Sequence, residues 1–184
     1  MRTLRNSIEE LVNWSRKLAS RDSFPTWLAA IAAVDLFVSF FPVDALVTAG
    51  ALARPKRWFR AALFASLGSA IGAVTLGALT GHFGAPIVQW LGTRSVSFAH
   101  ALSAAGELID RYGPWMIGPY AASFLPLQAA AAVYGLTHGE LVPAFLAIAA
   151  GRFAKYGLFA YLASHAPSLI PSSYRVQPDR VLDL

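Results

Sequence analysis

Residues 24–52 form a run of apolar positions in which the only charges are Asp35 and Asp44, with Pro42 set between them. Residues 61–81 and 112–139 carry no charge at all. About 20 helical residues cross a hydrocarbon core about 30 Å thick, so each of these runs is long enough to cross it or to enter it deeply. Residues 144–163 make a fourth apolar run and hold Arg152 and Lys155 near its middle. Between the second and third runs, residues 86–112 are amphipathic, with Arg94, His100, Glu107, Asp110 and Arg111 marking polar faces. That pattern predicts an interfacial or peripheral helical section. At the start of the chain Leu4, Ile8, Leu11 and Leu18 recur at helical spacing, while Arg5, Glu9, Arg16 and Lys17 fall on other faces. This suits either a helix lying in a membrane interface or a solvated helix packed on the rest of the protein.

The first and third apolar runs are both interrupted. Residues 27–52 could cross once, or turn back as a re-entrant hairpin near Phe41-Pro42-Val43-Asp44; residues 113–136 are broken by Pro114, Pro119 and Pro126. Broken backbone is tolerated at membrane depth only where protein shields it or a wet cavity adjoins it. The second and fourth runs read as uninterrupted crossings. Residues 61–81 hold the spacings Gly68/Gly72 and Gly77/Gly81, which let another backbone approach closely. Each half of the chain thus has a proline-broken apolar segment followed by a spanning helix, the pattern of a transporter built from inverted repeats with its site where the breaks meet. The expected fold is all-α: a polytopic helical membrane protein with two proline-broken re-entrant hairpins and two spanning helices in an inverted repeat. Its expected divisions are an amphipathic interfacial helix over residues 1–24, a transmembrane domain over 25–163 and a loosely ordered tail over 164–184.

Composition narrows the class further. Of the 184 residues 56% are hydrophobic and 14% charged, against roughly 25% charged in a soluble domain. A chain this short lacks the polar segments needed to cover its long apolar stretches in water. With no cysteine, disulfides, thiolate metal sites and thiol nucleophiles are excluded. The net charge of +5 collects in Arg2, Arg5, Arg16, Lys17 and Arg21 at the start, and in Arg54, Lys56, Arg57 and Arg60 of one loop. The positive-inside rule places both clusters on the cytoplasmic face, which a hairpin over residues 27–52 permits and a single crossing does not. The start also lacks the compact apolar core and small-residue cleavage site of a signal peptide.

Four ionisable groups, Asp35, Asp44, Arg152 and Lys155, lie within apolar stretches. Each costs ~2.5–3.5 kcal/mol or more at the centre of a membrane helix, so they are expected to pair with one another or to face water. A structural ion pair between the first broken segment and the last helix, and a pathway for protons or a polar headgroup, are both compatible with this placement. His82, His100, His138 and His165 show no metal-ligand spacing, and no GxSxG, HExxH or glycine-rich phosphate loop is present. These observations give no signal for an enzyme, a metal or a cofactor, and none for nucleic acid.

The acid Asp35, nine positions ahead of Asp44 in Phe41-Pro42-Val43-Asp44, resembles the acidic motif of the DedA family, also called the SNARE-associated or VTT-domain family. Ala51-Leu52-Ala53-Arg54-Pro55-Lys56-Arg57 followed by Leu67-Gly68-Ser69 resembles that family's basic loop and next helix. The second half is similar to its YqaA-like branch in Arg111-Tyr112-Gly113, in Phe124-Leu125-Pro126-Leu127-Gln128 leading to Gly135, and in Gly151-Arg152-Phe153-Ala154-Lys155-Tyr156. The likeness covers residues 25–163. It implies two facing re-entrant hairpins in a bacterial inner membrane, an essential acid in the first, and movement of a lipid such as undecaprenyl phosphate or a phospholipid across the bilayer. The implied site comprises Asp35, Asp44, Gln128, Arg152 and Lys155, with Pro42 and Pro126 making the breaks; the implied partners are membrane lipids and protons. The glycine spacings permit a homodimer. The chain departs from the family at Ser123 and Ala129, where many members carry arginine, which leaves Arg152 and Lys155 to attract a phosphate.

Overall fold

The computed structural model describes residues 23–38, 42–92, 96–137 and 139–165, and these are helical with no strand among them. The helices are α1 (Phe24–Val38), α2 (Val43–Ala53), α3 (Trp58–Phe83), α4 (Ala85–Gly92), α5 (Val96–Tyr112), α6 (Ile117–Ala122), α7 (Leu127–Leu136) and α8 (Leu141–His165). Short 3-10 turns at Pro55–Arg57 and Pro114–Met116 lead into α3 and α6. The amphipathic start and the tail beyond residue 165 lie outside the described residues, as does Phe41.

Among the described residues two helices are long and apolar enough to cross a membrane: residues 55–83, comprising the first 3-10 turn and α3, and α8. At 1.5 Å per residue, the 26 residues of α3 and the 25 of α8 extend about 39 and 38 Å. Both run past the expected limits of 61–81 and 144–163. The added turns carry Trp58, Phe59 and Arg60 at one end and His82 at the other, residue types that suit a helix end leaving an apolar layer. The region expected to be one amphipathic section is two helices, α4 and α5.

The long helices cross antiparallel. Trp58, at the start of α3, stacks edge-on with Tyr161 near the end of α8, their ring centroids 5.5 Å apart. Leu76, late in α3, shares a buried cluster with Ala144 and Ile148 early in α8.

The short helices flank this pair, and small residues bring them close. Gly68 and Gly72 of α3 lie on the backbone of Ala29 and Ala33 in α1, while Gly77 and Gly81 lie on that of Ala131 and Gly135 in α7. The two glycine spacings therefore serve two different partners, one from each half of the sequence, and all four glycines are used within the chain. A side chain at Gly68 or Gly135 would enter the facing backbone. The contact of α6 with α8 is built the same way, with Gly118 on Ala147 and Gly151 on Gly118.

Each broken segment thus places one arm on each long helix. α1 lies on α3 and α2 on α8; α6 lies on α8 and α7 on α3. Phe24, at the start of α1, covers Gly50 near the end of α2, so the chain doubles back between them. The two breaks, Pro42 and residues 123–126, come to the middle of the long helices. There Pro42 and Gln128 line a common cavity with Ser69 of α3 and Arg152 of α8.

The outer surface is apolar. Phe59, Phe64 and Ile71 of α3, and Val142, Leu146, Leu158 and Leu162 of α8, are exposed, more apolar surface than a soluble monomer usually presents.

Candidate functional site

The cavity where the breaks meet has a volume of about 280 Å³. Asp35 reaches it from the last turn of α1 and Asp44 from the first turn of α2; Ser69 comes from the middle of α3, Gln128 from the start of α7, and Arg152 and Tyr156 from the middle of α8. Arg152 and Tyr156 share a face because residues four apart on a helix are neighbours. Their contact is direct, the guanidinium carbon standing 5.6 Å from the Tyr156 ring centroid.

Lys155 closes the site through Asp44, its Nζ lying 3.0 Å from Oδ2. The two ends of this pair are exposed unequally: the Lys155 side chain is 7% exposed and that of Asp44 45%. The ammonium also lies 4.8 Å from the ring centroid of Phe124, within cation–π range. Lys155 therefore joins the first turn of α2 to the break between α6 and α7. The last helix offered two cations for an ion pair with the first broken segment; the one that meets Asp44 is Lys155.

Arg152 is arranged differently. Its Nε is buried with no hydrogen-bond partner. An unmet donor on a permanently charged group costs free energy when it is buried, so an acceptor placed in the adjoining cavity would be stabilising.

The backbone adds donors. α2 begins at Pro42 and α7 at Pro126, and neither proline supplies a side-chain cap. The first N–H groups of an α-helix have no partner within the helix and carry the positive end of its dipole. Asp44 meets that end of α2 from within its first turn, the position where a carboxylate is favoured.

All five side chains singled out in the sequence thus lie at or beside one cavity, together with Pro42. Pro126 stands immediately before Leu127 and Gln128 at the start of α7. Ser69, Tyr156 and Phe124 were not among them. Their signal was position: Tyr156 is one helical turn from Arg152, and Ser69 follows the first glycine of the α3 pair. His82 and His165 sit in the last turns of α3 and α8. Among the described residues no group of histidines and carboxylates could hold a metal ion. No protein-family model, curated protein or solved structure matches the chain.

Proposed function

We propose that the protein is an integral membrane lipid transporter or scramblase of the DedA type that moves a phosphate-bearing lipid, undecaprenyl phosphate or a phospholipid, across the bacterial inner membrane. In this reading α3 and α8 span the bilayer, α1–α2 and α6–α7 are re-entrant hairpins of an inverted repeat, and the basic loop of residues 54–60 faces the cytoplasm with the N-terminus. The equivalent placement of the arms supports the repeat, each first arm lying on its own half's long helix and each second arm on the other's.

The observation that carries the reading is the orphaned Arg152 Nε beside a cavity at mid-height of two helices of membrane length. A phosphate is the acceptor that suits a guanidinium beside two uncapped helix starts. Asp35, Asp44, Arg152 and Lys155 sum to zero charge when all are ionised, and one proton on an acid makes the site net positive. Uptake of a proton and of an anionic headgroup would then favour each other, with Lys155 turning from Asp44 to the phosphate.

The test is exchange of a headgroup-labelled lipid in liposomes, read by an impermeant quencher added outside, for the wild type and Asp44→Asn. We expect quenching beyond the outer leaflet's share with the wild type only. Equal exchange by both would keep lipid movement but remove the acid from it, and absence of exchange with both phospholipid and polyprenyl phosphate would remove the transport reading. The contact between Lys155 and Asp44 favours one rival, a non-transporting envelope component in which the pair clamps the first broken segment to α8.

A further inference from the structure

We propose that a second cavity, at the end of the molecule where α8 begins, binds an organic ammonium group. It has a volume of about 430 Å³ and shares no lining residue with the central cavity. Three side chains give it its chemistry: Trp115 of the turn before α6, Tyr134 of α7 and Glu140 just ahead of α8; Pro114, Gly139 and Pro143 are among its apolar lining.

The arrangement is held by local geometry. Tyr134 donates its hydroxyl hydrogen to the main-chain oxygen of Glu140 at 3.1 Å, which ties the end of α7 to the start of α8. Its ring lies across Gly139, where any side chain would collide with it. Trp115 is 78% exposed, its indole left unpacked by the rest of the chain.

An aromatic wall with a carboxylate suits one kind of ligand. A cation within about 6 Å of an indole or phenol ring is drawn to the ring face, and a nearby carboxylate adds an opposite charge. No lysine or arginine lines the cavity, and the start of α8, whose dipole would favour an anion, already has the acid Glu140 just ahead of it. Of the seven lysines and arginines among the described residues, Arg54, Lys56, Arg57 and Arg60 gather at the opposite end of α3, Arg152 and Lys155 lie at or beside the central cavity, and Arg111, in the last turn of α5, stands three residues ahead of Pro114 without lining the cavity. The alkyl groups of a substituted ammonium would meet the proline and alanine lining, which a metal cation or a hydrated inorganic ion would not use. The ammonium can belong to the headgroup of a zwitterionic lipid or to a free amine.

The test is calorimetric titration of the whole protein in a maltoside detergent with choline and with monomeric dihexanoylphosphatidylcholine. Saturable binding of either is expected, weakened ~tenfold or more in both Glu140→Gln and Trp115→Ala. Tighter binding of the lipid than of choline identifies a headgroup as the source; equal affinities identify a free amine. Dihexanoylphosphatidic acid, which has the phosphate and no ammonium, is expected not to compete. Absence of saturation with both probes, undiminished affinity in both variants, or competition by phosphatidic acid would each overturn the proposal. Trp115→Ala removes an exposed side chain, so it reports on the site without disturbing the core. Lipid exchange through the central cavity is read in a different assay, and either proposal can fail without the other.

Discussion

At the first break Pro42 starts α2 and the second residue after it is Asp44; at the second break Pro126 starts α7 and the residue in the same place is Gln128. Both side chains line the central cavity, yet only the first is charged. The partner helices differ in the complementary way. The middle of α3 offers Ser69 and the small residues that hold α1 and α7, whereas the middle of α8 offers Arg152 and Lys155. The two broken segments therefore carry different chemistry. The first half brings carboxylates and the close-packing helix, and the second brings cations and a neutral break.

If that division matters for function, charge at the two breaks has unequal effects. Gln128→Glu places a third acid in the cavity and is expected to slow exchange of an anionic lipid several-fold, while Asp44→Asn reduces it ~tenfold or more, the effect of about 1.4 kcal/mol in the barrier. Equal losses in the liposome assay would erase the distinction between the breaks.

The unequal exposure of the ion pair sets the next effect. Asp44→Ala strands an ammonium that is 7% exposed, while Lys155→Met strands a carboxylate that is 45% exposed and keeps part of its hydration. Breaking a fully buried pair costs about 3–5 kcal/mol, so with a half-exposed acid we expect about 2–3 kcal/mol for Asp44→Ala and less for Lys155→Met. Thermal unfolding in detergent measures both, and the reverse order would mean that Lys155 is the hydrated partner.

Packing at the two halves should be equally intolerant. Gly68→Ala meets the backbone of Ala29, and Gly135→Ala meets that of Gly77 with the hydroxyl of Thr80; each is expected to destabilise by about 1–3 kcal/mol. Gly106, inside α5, faces open space, so Gly106→Ala should stabilise slightly, by about 0.5–1 kcal/mol. A loss at Gly106 as large as at Gly68 would show that the close approaches are not what makes these positions sensitive.

The long helices were legible because a charge-free apolar run of their length has few other uses, and the turns beyond 61–81 were missed because Trp58, Arg60 and His82 interrupt the apolar pattern without breaking the helix. The central residues were legible for an energetic reason: charges in apolar stretches must meet partners or water, so Asp35, Asp44, Arg152 and Lys155 were expected to pair or to face water, and they lie at or beside one cavity. Which cation meets Asp44 was not, since residues 152 and 155 lie within one turn and only the rotation of α8 decides between them. The two glycine spacings of α3 predicted close packing without saying that they serve different helices. The second cavity left no trace in the pattern, because Trp115, Tyr134 and Glu140 belong to three separate elements and are each unremarkable in sequence.

Under the proposed function the Asp44–Lys155 contact lies on a transport path and is more than a clamp. The most direct test is lipid exchange, with thermal unfolding measured alongside, for the exchanged pair Asp44→Lys with Lys155→Asp. A path that depends on the acid standing at the start of α2 and the cation on α8 predicts unfolding close to the wild type with exchange lost. Exchange restored to the wild-type rate would contradict it and leave the pair a structural clamp.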